Sequence, residues 1–358
     1  MDKFLNKSVI VVSAALAAAA FSPVAGAKEV KIIVTATAPG PVTYVAMTTT
    51  KFIPEVDKRL AATGKDFKIK WVKAYAQAVA KAYEQFEAVE ANIAQMGLIV
   101  KNFEESKLAL EQYATMVPFS GETDEQIISI DSNIRKKVPG MNEVYLRNGQ
   151  TFLVSGVSPM YDLFTTFPVK SIDDIKGKKI GVSGVLGQFF RGTGAVVVTS
   201  AMTESYTSIR SGVYDGYPIS IGLSFPFKTY EAAKFYTPTH FGVSTGTAMT
   251  VNTEVWNSFP RYVQDIFRDV AVEWPVWQVA ADRKKLAKFS GIMKKKGVKF
   301  GSISHKERLR WANAMPNISL EWAKRQDAKG LPGSAVLAAY FDELKRVNAK
   351  GLRDWSKE

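Results

Sequence analysis

The segment Lys178-Lys179-Ile180-Gly181-Val182-Ser183, continued by Gly194-Ala195, Thr203-Glu204-Ser205-Tyr206 and Ser211-Gly212-Val213-Tyr214-Asp215-Gly216, constrains the fold most. It reads as a strand, a glycine-rich turn, a helix, a second strand, then a helix closed by a tight turn. The same alternation appears earlier. An apolar strand over residues 30–36 stops at Pro39-Gly40-Pro41. Helical spacing follows over 44–62, interrupted near Pro54, and residues 67–72 alternate like a strand. Residues 76–89 predict a helix with Tyr83, Phe86 and Val89 at core spacing, and 93–100 a short strand. Strand–helix repetition places the chain in the α/β class, with sheets covered by helices.

The second half continues the pattern. Thr123 predicts the cap of a helix over 123–137, and Ser171-Ile172-Asp173-Asp174 a serine-capped turn with acidic residues where a helix dipole favours them. A strand is expected over 247–252. A long helical pattern over 258–289 is punctuated at Pro275, where a kink would bend it between two lobes. The tail is aromatic-rich, and Trp311, Trp322, Tyr340, Phe341 and Trp355 read as packing residues.

The N-terminus reads as an export signal: Lys3 and Lys7, an apolar run over 9–21, then Ala25-Gly26-Ala27, with cleavage expected after Ala27. The run is too short to span a bilayer, which takes about 20 residues. The mature protein is therefore expected outside the cytoplasm, in the periplasm of a cell with two membranes. With no cysteine, disulfides, thiolate metal sites and cysteine nucleophiles are excluded. The net charge is +13. Its basic residues are spread along amphipathic patterns without a nucleic-acid-binding motif, so solvated helix faces are expected and nucleic acid is not a partner.

Catalytic patterns are missing. The two histidines, His240 and His305, lack metal-ligand spacing, and no nucleophile elbow or phosphate-binding loop occurs. Asp173-Asp174 and Glu104-Glu105 fall at expected helix starts, where capping explains them. No enzyme activity, metal or cofactor is expected.

The central segment, taken with Val117-Pro118-Phe119, Ser171 to Gly177, Thr237-x-x-His240 and Asn252-x-x-Val255-Trp256-x-x-Phe259-Pro260, resembles the DctP-like solute-binding proteins of TRAP transporters. Ala76-Gln77 and Glu90-Ala91-Asn92-Ile93-Ala94 resemble two more of that family's segments. The motifs are individually weak, but their order and spacing cover nearly the whole mature chain. The resemblance implies a two-lobed periplasmic binding protein-like α/β fold with discontinuous domains and a long helix bridging the lobes. It implies 1–27 as signal peptide, 28–155 with 247–275 as lobe I, 156–246 with 276–305 as lobe II, and 306–358 as C-terminal helices packed on both. It also implies capture of a small organic ligand and delivery to the membrane subunits of a TRAP transporter. A ligand-sensing receptor subunit and a periplasmic hydrolase or isomerase are the alternatives.

The departures from the family shape the expected site. Its carboxylate-binding arginine falls at Gly181, and its ligand-bonding asparagine at Ile219. Polar positions elsewhere fall near Leu98 and Tyr161. Tyr75, Leu98, Tyr161, Phe189, Met202, Tyr217 and Ile219 are therefore expected to line an apolar pocket around Gly181. Arg191 is the substitute anchor if the ligand carries a carboxylate, with Arg210 a second candidate. Burying an unpaired carboxylate in such a cleft is costly, so a largely apolar or aromatic ligand is expected.

Overall fold

The computed structural model describes residues 28–357, so the expected signal and its cleavage point after Ala27 lie outside the described residues. Among the described residues, eleven strands form two sheets. In chain order they are β1 (Lys28–Ala36), β2 (Phe67–Ala74), β3 (Met96–Val100), β4 (Gln150–Ser158), β5 (Asp162–Thr165), β6 (Lys179–Val182), β7 (Val196–Thr199), β8 (Gly216–Ile219), β9 (Phe235–Thr237), β10 (Ser244–Asn252) and β11 (Lys299–Phe300).

The first sheet has the order β2-β1-β3-β10-β4 and the second β11-β9-β5-β8-β6-β7. In the first, β1 runs parallel to β2 and β3, and β10 inserts antiparallel between β3 and β4. In the second, β6 is parallel to β7 and β8, as the strand–helix–strand reading requires. The chain leaves the first sheet between Ser158 and Asp162 and re-enters it between Thr237 and Ser244. Each lobe is thus discontinuous in sequence.

Local chemistry explains most elements. Along β1, Ile32 and Val34 are buried while Lys31 is exposed, the alternation of a sheet face. Every residue of β10 is buried, as befits a strand flanked on both edges and covered on both faces. Thr123 caps the helix Asp124–Lys137 through a reciprocal pair with Gln126. Asp174 accepts from the Lys170 and Ser171 amides at the start of the expected turn.

Two expectations are corrected. Residues 76–84 are not helical, and the helix there is only Gln85–Glu90. Ala76 and Gln77 both take left-handed backbone, with φ of 56° and 63°, which breaks a helix before it can propagate. Their amides bond Ala38 and Ala36 across the turn. The pattern over 258–289 is also two helices after the short Thr253–Ser258: Arg261–Ala271, then Trp274–Lys295. Pro275 lies in the first turn of the second, where its missing N–H costs nothing, so it starts a helix instead of kinking one.

Helix Trp274–Lys295 spans 22 residues, about 33 Å. It packs against Thr43–Met47 beside the first sheet and Ile221–Ser224 beside the second, bridging the lobes. The tail aromatics are core: the indole N–H groups of Trp311, Trp322 and Trp355 donate to the carbonyls of Phe189, Ala109 and Pro118. None of the helices among the described residues is long and apolar enough to cross a membrane.

Candidate binding cleft between the lobes

The parallel strands β1 and β3 point their carboxyl ends at the gap between the sheets, where α/β folds place ligands. Thr37 and Ala38 follow β1, and Val100 and Phe103 close β3. Val42, Thr43 and Tyr44 add the start of a helix. Facing them from the second lobe are Met202 and Thr203, past β7, and Leu223 and Phe227, past β8. The floor is the crossing itself: Val157, Ser158, Pro159 and Tyr161 on the outgoing strand, Gly246 and Thr247 on the returning one. Gln278 and Asp282, one helical turn apart on the bridging helix, complete the wall. Together these groups bound about 660 Å³ of space, part of it open to solvent.

The backbone at the floor is fitted closely. A Cβ at Gly246 would lie 1.8 Å from the Ser158 hydroxyl, and one at Gly156 would lie 2.3 Å from Thr247 Oγ1. A register shift between Ser244 and Thr247 bulges β10 at this point.

The polar groups fall into two kinds. Gln278 is 1% exposed; its Oε1 accepts from the Val157 amide at 3.0 Å. Its Nε2, and the Oγ1 of Thr247, have no hydrogen-bond partner in the protein. Buried polar atoms are normally satisfied, and an orphaned donor in a cleft is what an incoming acceptor would meet. Burial pushes the phenols of Tyr44 and Tyr161 above their ordinary value, so both remain protonated hydroxyls. Among the lining residues none is lysine, arginine or histidine.

The structure brings Tyr161 and Met202 into this cleft and places the other expected site residues elsewhere. Gly181 does not open a pocket, because the Tyr214 ring lies against it; a Cβ there would sit 2.5 Å from Tyr214 Cζ. Tyr217 is buried, sharing a 2.5 Å hydrogen bond with Ser183 Oγ and donating to the Ser200 carbonyl. Ile219 packs with Tyr214 and Tyr217 in one core cluster, and Leu98 with Val34 and Met249 in another. Phe189 stacks on Phe241 at 5.1 Å, inside a third. Tyr75 is half-buried and accepts from Thr49. Arg191 reaches away to Glu321 on the tail helix at 2.5 Å, and Arg210 lies over the Tyr206 ring. The motif positions on β6 and β8 thus face packing, while the cleft draws on the bridging helix and the crossing strands.

Sequence reasoning missed Thr247, Gln278 and Asp282. A signal existed: Trp274, Gln278 and Asp282 recur at four-residue intervals, which puts two polar residues on the face that Trp274 buries. It also missed a buried charged cluster beside the crossing. Lys101 Nζ donates to Glu111 at 2.5 Å, to Ser155 at 2.7 Å and to Thr245 at 3.2 Å. Arg135 bonds Glu111, Asp131 and Ser155, and Tyr113 donates to Asp131. Burial alone would raise the Asp131 carboxyl, but the charges of Arg135 and Lys101 outweigh it and hold it below its ordinary value. Among the described residues no cluster of histidine or carboxylate side chains is placed to hold a metal.

Comparison with known proteins agrees with this architecture. The family model for bacterial extracellular solute-binding protein, family 7 (DctP), matches residues 77–326. A TRAP periplasmic solute-binding protein from Sulfitobacter sp. NAS-14.1, solved with β-D-galacturonate, superposes with a TM-score of 0.75 at 15% identity, covering 87% of this chain and all of its own. The Bordetella pertussis extracytoplasmic solute receptor DctP6, which binds pyroglutamic acid, gives 0.75 at 21% identity over 87% of this chain and all of its own. A TRAP protein from Pseudomonas putida F1 with D-glucuronate gives 0.70 at 18% identity, covering 90% and 97%. At these identities the neighbours speak for the fold, and the family match carries the rest: the chain belongs to the DctP family of bacterial extracellular solute-binding proteins, which are receptors and not enzymes.

Proposed function

We propose that this chain captures one small organic molecule in the interlobe cleft and hands it to the membrane subunits of a TRAP transporter, and that the body of this ligand is largely apolar or aromatic. The single supporting observation is the lining of the cleft. Phe103, Val157, Met202, Leu223 and Phe227 surround it, and no lysine, arginine or histidine lines it. The related structures were solved with galacturonate, glucuronate or pyroglutamate, all carboxylates. The donors a carboxylate would meet here are neutral, among them Gln278 Nε2, the Thr247 hydroxyl and two tyrosine hydroxyls. Each large apolar side chain buried against a ligand contributes on the order of 1.5–3 kcal/mol, so several can replace one ion pair.

A thermal-shift screen tests this. A ligand at about 100 times its Kd adds about 2.7 kcal/mol, a rise of a few degrees in Tm for a chain of this size. Aromatic or terpenoid-like compounds should give that rise, while D-glucuronate, D-galacturonate and pyroglutamate at equal concentration should not. The reverse pattern would overturn the apolar ligand and leave the family assignment intact.

A further inference from the structure

The cleft has one charged lining residue, and it is acidic. Asp282 projects from the bridging helix, half-buried, with Oδ1 accepting from Thr43 Oγ1 at 2.5 Å. It makes no ion pair among the described residues. Lys285 shares the Thr43 hydroxyl with it, donating to Thr43 Oγ1 at 2.9 Å and to the Pro41 carbonyl at 3.1 Å, and its charge favours the ionised Asp282 without a direct hydrogen bond. The neighbouring basic residue, Arg283, is drawn off to Glu125. A second carboxyl, Asp124, sits nearby with Oδ1 unpartnered; burial, then the charges of Glu125 and Asp282, push it up to about 6. Burial likewise raises the Asp282 carboxyl above its ordinary value. The cost of holding negative charge here would fall if a cation or a strong donor arrived.

Neutral donors lie beside it. Gln278, one turn earlier on the same helix, offers Nε2, and Thr247 offers its hydroxyl, both without a partner in the protein. The cleft therefore offers neutral donors from Gln278 and Thr247 and a carboxylate from Asp282, alongside its apolar side chains.

We propose that Asp282 is a specificity-determining residue that receives a protonated amine of the ligand, so that this cleft selects organic amines over organic acids. The proposal rests on the reading of the interlobe cleft as the binding site and adds the charge of its occupant. Electrostatic selection of this kind acts through both attraction to the cation and repulsion of the anion.

Three probes that share a phenyl ring and chain separate the charge from the shape: 2-phenylethylamine, 2-phenylethanol and 3-phenylpropanoate. Titration calorimetry on the whole mature protein at neutral pH should show the amine binding about 10-fold or more tighter than the acid, with the alcohol between them. Asp282→Asn should cost the amine about 10-fold and change the alcohol by less than about 3-fold, with unchanged Tm in the absence of ligand, and Asp282→Glu should recover part of the loss. Tightest binding by the acid, an amine affinity unmoved by Asp282→Asn, or no measurable binding of the amine each overturns the proposal. Equal binding of all three, insensitive to Asp282, sinks the amine subsite while leaving the apolar ligand standing. Binding of D-glucuronate with none by the phenyl probes sinks both.

Discussion

Ser155 and Thr245 reach the buried cluster of Lys101, Glu111, Asp131 and Arg135; Val157 and Thr247, two residues on along the same strands, reach the cleft. In the cluster two cations meet two carboxylates, with hydroxyls filling the remaining positions. In the cleft, Gln278 Nε2 and Thr247 Oγ1 end in no partner. The difference is one of completion. A satisfied polar network specifies the packing around it, whereas an unsatisfied one raises the energy of the empty protein until a ligand completes it. Lys101 and Arg135, the cations beside the crossing strands, are paired with Glu111 and Asp131 and do not line the cleft.

The largest effect should come from breaking the completed region. Glu111→Gln leaves Lys101 and Arg135 with one carboxylate between them, and should lower unfolding free energy by about 3–5 kcal/mol in urea. A loss under 1 kcal/mol would show that the cluster is not the closed network described.

A middle-sized effect should follow from Gly156→Ala, which lies in the chain between the two regions. The new Cβ would press on Thr247, on Gln278 Oε1 and on the Trp274 ring. Stability should fall by about 1–3 kcal/mol. Ligand affinity should fall with it, because two of the pressed side chains, Thr247 and Gln278, carry the cleft's free donors. A stability loss with affinity intact would separate the cleft from its supposed donors.

The smallest stability effect should come from Thr247→Val. Its hydroxyl has no partner to lose, so unfolding free energy should stay within about 0.5 kcal/mol, while ligand affinity drops by about 2- to 10-fold, the value of one hydrogen bond. That split is the signature of a group held for a ligand.

The fold was legible because its signals are local. Thr123 and Gln126 specify a helix start within four residues, and alternation around Ile32 and Val34 specifies a sheet face. The tail tryptophans announced a core by size and apolarity alone. The cleft was less legible because its members meet from distant parts of the chain: Thr43 bonds Asp282, and Lys101 bonds Thr245. Motif positions also carried a false lead. Gly181 and Ile219 lie where the family resemblance puts ligand contacts, but Tyr214 covers the first and packs with the second. Which side of a strand faces a cavity depends on what its neighbours fill, and a single sequence does not state that.

Native mass spectrometry of the protein isolated from its own host, compared across two variants, tests the central claim most directly. The cleft reading predicts one small-molecule mass increment per chain, lost in a Thr247→Val, Gln278→Leu double variant and retained in Arg191→Ala, whose half-exposed pair with Glu321 contributes only about 0.2–1 kcal/mol to stability. An increment lost with Arg191→Ala and retained in the double variant would contradict it, returning the ligand anchor to the arginine and emptying the cleft of its proposed role.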